Sequence, residues 1–415
     1  MSEDELPDLM DPEVQRHPYN LYKTLQQRQC PVHKMPSTGF HLVVSDAAAR
    51  ETLRQPDLFL SGVSPMALAD GGSVDQEILD IYQNEGWVPL ASCSTSDPPR
   101  HTKVRGFLEG LFKVERIRRA TPMIDRVAID LLDQWQDASE VAFVRDFAHP
   151  FPMMVIANLM GVPDGDMTQF KLWSDAIVEP FSMMASRERR LECARLVVEM
   201  QHYFAEMIEA RRKTPRDDFI SEALSYRDEH GDRFDMQELM TLITIDLLAS
   251  GNETTTAAIS SGMRLLLEDA EAMNAVSHDL ELIPTLCEEI LRLESPAQGM
   301  FRECAADAEL AGVALKRGEL LSVRFGAANR DEERHSHAER IDLHRAKPGS
   351  HLAFGMGRHV CVGAALARRE LISAFTVLFQ RYQHFSPVAH RPEPQYQPSF
   401  FGRNLDELYI AALSR

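Results

Sequence analysis

Cys361 stands in the loop Phe354-Gly355-Met356-Gly357-Arg358-His359-Val360-Cys361-Val362-Gly363, directly before the helix-forming run Ala364 to Glu370. A thiol at a helix N-terminus feels the positive end of the helix dipole and nearby N–H groups, which favour the thiolate. Gly355 and Gly357 let the backbone approach something bulky and flat, and Gly363 lets the next helix pack closely. A thiolate presented in this way suits the axial position of an iron porphyrin. Two blander uses are a buried structural cysteine and a zinc site shared with His351 and His359. Zinc would need a fourth ligand, and the six cysteines include no C-x-x-C pair.

A second group with chemical potential is Ser250-Gly251-Asn252-Glu253-Thr254-Thr255-Thr256. It interrupts a long helical pattern from Met236 to about Glu268, for which Asp235 and Glu238 form a capping box. Glycine and hydroxyl residues at mid-helix cost stability and predict a distortion there. The alternative is a solvated polar face. Asp246 lies four residues before Ser250 and seven before Glu253, so a regular helix would put all three near one face. It would then contact substrate or ordered water, or else pair with a basic residue on a neighbouring helix.

Asp97-Pro98-Pro99-Arg100-His101 reads as a helix start, with Asp97 as N-cap and Pro98 at the first position. His101 and Arg105 are four apart and share a face, able to grip an anionic group. Glu289 and Arg292, three apart, can pair along another helix.

The net charge of −19 argues against a nucleic-acid partner, since phosphate contacts need clustered cations. Between Arg100 and Arg119, however, seven Lys and Arg stand against Glu109 and Glu115. No apolar run approaches the roughly 18 residues of a membrane helix, and no signal peptide is visible. Unpaired cysteine spacing adds to the expectation of a reduced, cytoplasmic protein.

Helical periodicity dominates from about Arg100 to Leu293. Strand-like pieces fall at Phe40 to Val44, between Ala314 and Phe325, and near the C-terminus. Ser61 to Gly72 reads as a mobile loop, and Asn329 to Ser350 as a long irregular segment. The expectation is a mainly α, single domain over 1–415, with small peripheral sheets. Its parts are a β-richer region of about 1–95, a helical core of about 96–370, and a β-containing end of about 371–415.

Together these motifs resemble the cytochrome P450 family. The loop fills every fixed position of F-G-x-G-x-H-x-C-x-G, and Leu366, Ala367, Arg368 and Glu370 continue it as L-A-R-x-E. Gly251, Glu253, Thr254 and Thr255 match A/G-G-x-D/E-T-T, from which Ser250 departs at the first position. His101 and Arg105 match H-x-x-x-R, and Glu289 and Arg292 match E-x-x-R. Ala327 to Asp331 matches too, without the proline that often follows. The resemblance runs from about Asp97 to Glu370.

The resemblance implies haem b (iron protoporphyrin IX) ligated by Cys361 and set among Phe354, Gly355, Gly363 and Gly251. His101, Arg105, Arg302 and His359 would bind its propionates. Thr254 would hold dioxygen and a relay water, Glu253 would replenish protons, and Gly251 would open a groove in the helix. Arg345 would join Glu289 and Arg292 in bracing the core behind the cysteine loop. Substrate-pocket walls would come from Trp87, Val88, Phe181 and Met184, then from Asp246, Ala249 and Ser250. Gln298, Met300, Phe400 and Phe401 would complete them. This mixture suits a mid-sized hydrophobic substrate, a terpenoid or aromatic hydrocarbon, with Asp246 and Gln298 hinting at a polar group on it.

The implied activity is a monooxygenase inserting one atom of O2 into such a substrate. No flavin or nicotinamide segment is present, so electrons would come from an external ferredoxin. Lys113, Arg116, Arg118, Arg119, Arg358 and Arg368 are its candidate docking cations, unless they form an ordinary solvated face. A peroxide-driven enzyme would usually lack the acid–alcohol pair Glu253-Thr254. A haem sensor or ligand carrier would not need it.

Overall fold

The computed structural model describes residues 7–63, 75–135, 138–182 and 184–415. The chain divides into two compact units, one of Met1–Ser61, Thr121–His149 and Thr254–Arg415, the other of Gly62–Ala120 and Pro150–Glu253.

All described strands belong to the first unit. A five-stranded sheet runs Val32–Lys34, His41–Val43, Leu320–Val323, Met300–Cys304, Phe59–Leu60. His41–Val43 pairs in parallel with Leu320–Val323, and the other pairings are antiparallel. Val141–Ala142, Tyr409–Ser414 and Tyr382–Pro387 form a second sheet, and Ala308–Leu310 with Val313–Leu315 a third. The expected strands at Phe40 to Val44, within Ala314 to Phe325, and near the C-terminus are therefore present. Buried Val43, Phe59, Leu321, Val323 and Phe325 form a core that also takes in Leu53 and Leu352, with Met356 packed on its edge. That core is the floor beneath the cysteine loop.

The second unit is helical among its described residues. Its longest helix, Arg187–Lys213, starts with Ser186 accepting the Arg189 N–H at 3.3 Å. Glu188 lies in its first turn and Arg211, Arg212 and Lys213 in its last, each charge opposing the nearer end of the helix dipole. The Asp235–Glu238 capping box is present, with reciprocal bonds of 2.8 and 3.0 Å.

The run from Met236 to Glu268 is continuous but not uniform. It is α over Met236–Thr241, π over Leu242–Ala249 and α over Ser250–Glu268. The distortion thus falls in the apolar stretch before the hydroxyl-rich one. The polar stretch is split: Ser250 and Thr254 are exposed and Glu253 is half-buried, while its other side faces inward. Asn252, Thr255, Thr256, Ser260 and Ser261 are buried. Among them, Asn252 donates to Ser174 Oγ at 2.9 Å and Ser260 to the Thr256 carbonyl at 2.8 Å.

The helix expected from Asp97 begins later, at Arg100, and ends at Leu111. Asp97 and Pro98 each precede a proline, a position that disfavours α geometry. Asp97 Oδ2 instead accepts the Gly62 N–H at 3.0 Å. Of the expected Ser61 to Gly72 loop, residues from 64 onward lie outside the described ones. Asn329 to Ser350 is irregular, as expected, until a short 3-10 turn at Pro348–Ser350.

Candidate active site

Cys361 is the one exposed thiol of the six; Cys30 is half-buried and the other four are buried. The loop that carries it is fixed almost residue by residue within the first unit. The Cys361 N–H donates to the Phe354 carbonyl at 2.8 Å, closing the loop on itself. Gly355 and Gly357 have φ of 66° and 73°, which side chains rarely adopt. A Cβ on Gly357 would lie 2.7 Å from the Leu53 carbonyl, so close approach applies there, to the protein's own backbone. Gly363 is the N-cap of the helix Ala364–Arg381, and a Cβ on it would lie 3.9 Å from Cys361 Sγ. The thiol therefore sits beside the first turn of that helix.

The segment leading into the loop is held from outside. Arg50 donates to the Ser350 carbonyl at 2.6 Å and to Met356 Sδ at 3.6 Å. Asn329 Oδ1 accepts the Leu352 N–H at 2.6 Å. His351 Nε2 lies 3.0 Å from Glu288 Oε2, and its Nδ1 accepts the Ala353 N–H at 3.2 Å. His351 is therefore engaged away from Cys361. Among the described residues, no group of three or more His, Cys, Asp or Glu could hold a metal ion. An exposed thiol on a glycine-shaped loop, with its neighbouring histidine committed elsewhere, fits a single axial ligand rather than a zinc site.

Beneath lies the expected bracket. Glu289 receives Arg292 at 2.8 Å on each oxygen and Arg345 at 2.7 and 3.1 Å. Arg292 also donates to the carbonyls of Asn329, Ala338 and Arg340 at 3.1, 2.6 and 2.8 Å. Both Glu289 and Arg292 are fully buried. Burial pushes the Glu289 carboxyl up, but bonds from the two arginines outweigh it and hold it below the usual range. Glu370, one turn into the cysteine helix, is also buried and accepts from Thr255 at 3.3 Å. Burial raises its carboxyl well above the usual value, against that hydrogen bond.

On the polar helix, Thr254 is exposed and Glu253 half-buried. A Cβ on Gly251 would meet only Ile156, at 3.8 Å, so the protein of that unit leaves room beside it. Ser250 donates to the Ile245 carbonyl at 3.0 Å, five residues back, and so closes the end of the π segment. The π geometry of Leu242–Ala249 means that regular α spacing applies only from Ser250 onward, not from Asp246. Asp246 Oδ1 accepts the Cys93 N–H at 2.7 Å, while its Oδ2 is buried with no hydrogen-bond partner in the protein. Burial raises this carboxyl to about 7, opposed by the Cys93 bond and the charge of Arg100. Of the two expected arrangements, no ion pair to Asp246 is present among the described residues.

His101 is buried on the helix Arg100–Leu111, where Arg105 Nε donates to Glu109 at 2.8 Å. Arg302 is buried in the strand Met300–Cys304 and donates to the Phe301 carbonyl at 2.6 Å. His359 is half-buried in the cysteine loop.

The expected pocket walls separate into two kinds. The main chain of Trp87 exchanges hydrogen bonds with the Gln201 amide at 2.9 and 2.8 Å, and the Val88 carbonyl accepts Gln237 Nε2 at 2.9 Å. Ala249 is buried and Met184 exposed. The side chain of Phe181 is outside the described residues. Gln298 does not fit its expected role. It is buried, and its amide donates to Tyr19 at 3.2 Å and to the Ser295 carbonyl at 2.8 Å, so no polar capacity is turned to a ligand. Phe400 is likewise core, stacked on Phe301 at 5.4 Å with the Arg324 guanidinium 4.7 Å from its ring. Met300 packs on the sheet core and Phe401 is half-buried.

The candidate docking cations also separate. Arg116 pairs with Glu222, Arg358 with Asp57 at 2.7 Å and Arg368 with Glu288 at 2.6 Å. Lys113, Arg118 and Arg119 are exposed. Sequence reasoning missed Glu288, Arg50 and the Cys93 N–H; only the position of Glu288, next to the bracket residue, offered a signal.

The family model described as Cytochrome P450 matches residues 91–409. Cytochrome P450 107B1 of Saccharopolyspora erythraea is 32% identical over 419 residues, covering 99% of each chain. Cytochrome P450 CYP109Q5 from Chondromyces apiculatus superposes with a TM-score of 0.84 at 31% identity, covering 99% of this chain and 98% of that one. CYP109E1 from Bacillus megaterium, solved with corticosterone, gives a TM-score of 0.82 at 31% identity, covering 96% and 99%. Among the described residues no helix is long and apolar enough to cross a membrane.

Proposed function

The chain belongs to the cytochrome P450 family, and on that premise we propose that it hydroxylates C–H bonds of a mid-sized hydrophobic molecule with electrons from an external ferredoxin. The observation that carries the reading is Cys361, an exposed thiol on a loop whose every turn is fixed by the surrounding protein. Cys361 would hold haem b at its iron, with Phe354, Gly355 and Gly363 beside it; Gly251 would leave space in its own helix. His101, Arg105, Arg302 and His359 would take the propionates through charge-assisted hydrogen bonds. Haem bound through a thiolate supplies reductive activation of dioxygen, the thiolate's electron donation favouring O–O cleavage.

The protein's own part is to place groups and move protons. Thr254 presents a hydroxyl at an exposed helix position, next to the half-buried Glu253. Its oxygen can accept a proton from a water fed by Glu253 and donate one onward, as stepwise relay requires. Trp87 and Val88, tied down by Gln201 and Gln237, with Ala249 and Asp246, would wall the substrate. Corticosterone in CYP109E1 supports a substrate of that size; a terpenoid or aromatic hydrocarbon fits the apolar residues equally. Lys113, Arg118 and Arg119 would meet an acidic ferredoxin.

The test is turnover with a ferredoxin, its reductase and NAD(P)H, on hydrophobes chosen by a spectral shift on binding. The expected result is hydroxylated product, with Thr254→Ala still consuming NAD(P)H but forming about tenfold less product. No product from any shifting compound, or unchanged coupling in Thr254→Ala, would refute the reading.

A further inference from the structure

Arg368 is a cation that the sequence assigns to partner docking, yet its guanidinium is held inside the first unit. Its Nε and Nη2 grip Glu288 Oε1 and Oε2 at 2.6 and 3.0 Å, a two-pronged pairing. Its central carbon lies 4.5 Å from the centre of the Phe354 ring. Phe354 is the residue whose carbonyl accepts the Cys361 N–H at 2.8 Å. Three segments therefore meet: the helix Ile283–Leu293 supplies Glu288, the helix Ala364–Arg381 supplies Arg368, and the loop between supplies Phe354.

Glu288 has one more partner. His351 Nδ1 accepts the Ala353 N–H, so Nε2 is the donor toward Glu288 at 3.0 Å, and the ring centre lies 6.1 Å from that of Phe354. One carboxylate thus gathers a planar cation and an imidazole that both lie near the phenyl ring. Burial works against its charge, but the bonds from His351 and Arg368 hold it down at about 2, so the grip persists across the working pH range.

We infer that Arg368 is a positioning residue for the Cys361 ligand, acting through Phe354 and oriented by Glu288 and His351, rather than a ferredoxin-docking cation. Guanidinium geometry is essential to this role. A lysine keeps the charge but cannot hold both oxygens of Glu288 while lying flat over a ring. Partners that orient a metal ligand typically matter about 10–100-fold in affinity or activity when removed.

The inference rests on the thiolate reading of Cys361, and the experiment separates the two. Arg368→Lys and Arg368→Ala are compared with the parent protein in the haem-loaded state. The readouts are the ferric–ferrous midpoint potential, the share of the carbon monoxide complex showing the thiolate signature, and KM and kcat for ferredoxin. Positioning predicts that both variants shift the potential in the same direction and lose part of the thiolate signature. It also predicts kcat about tenfold lower with ferredoxin KM within about twofold. A docking role predicts the reverse, with Arg368→Lys near the parent, Arg368→Ala raised in KM and potential unchanged; that result overturns the inference. Should Arg368→Ala not load haem, Arg368→Lys decides alone. Absence of the signature from the parent protein would instead remove the thiolate reading itself.

Discussion

The cysteine loop and the π-distorted stretch before Glu253 are both built around buried polar groups, but they satisfy them differently. Around the loop three of these groups are fully paired: Glu289 has two arginines, Glu288 an arginine and a histidine, and Asn329 the Leu352 N–H. In the π stretch the Asp246 carboxyl has one bond, to a loop N–H, and one buried oxygen without a partner in the protein. Fully satisfied networks in low dielectric are stiff, whereas partly satisfied ones are costly and adjustable. The contrast sets a stiff support under the loop against an adjustable carboxyl on the helix.

The widest gap between the regions should appear when the loop's support is cut. Arg292→Ala leaves Glu289 buried without its main partner and should cost about 3–5 kcal/mol in denaturant unfolding. A loss under about 1 kcal/mol would mean that the bracket is not tight. Gly357→Ala attacks the loop's shape, through a φ of 73° and a Cβ 2.7 Å from the Leu53 carbonyl. It should cost about 2–3 kcal/mol and lower haem retention, measured by thermal unfolding and haem content.

On the helix side the sign reverses. The folded state raises Asp246 above its unfolded range to about 7. The folded chain therefore binds the proton more tightly, so this contribution is present below pH 4 and is lost as pH rises toward 7. Asp246→Asn should gain on the order of 1–2 kcal/mol at pH 8 and almost nothing at pH 4. A gain equal at both pH values would contradict the cause given. The smallest effect is expected for Gly251→Ala, where the new methyl meets only Ile156 at 3.8 Å. Helix propensity should stabilise this variant by about 0.5–1 kcal/mol, readable as a higher Tm.

What could be read in the sequence follows the same division. The cysteine loop, the E-x-x-R bracket and the capping box at Asp235 are local patterns whose geometry is set by spacing, and the structure has them where spacing put them. The π segment was not legible, because Leu242 to Ala249 has the same apolar character in either helix type. The helix starts at Arg100 because Asp97 and Pro98 each precede a proline and are kept out of α geometry, which leaves Pro99 as the N-cap. Gln298 and Phe400 were assigned to the pocket by side-chain type alone. Which way such a residue points depends on Tyr19 for Gln298 and on Phe301 and Arg324 for Phe400, all distant in sequence. The partner of Arg368 was not legible for the same reason, since its charge is visible in the sequence and its pairing with Glu288 is not.

The most direct test of the account is the carbon monoxide difference spectrum of the reduced, haem-loaded protein beside its Cys361→Ser variant. The account predicts a thiolate-type spectrum for the parent and its complete loss in the variant, with Cys93→Ser and Cys287→Ser unaffected. A thiolate-type spectrum that survives Cys361→Ser would contradict it.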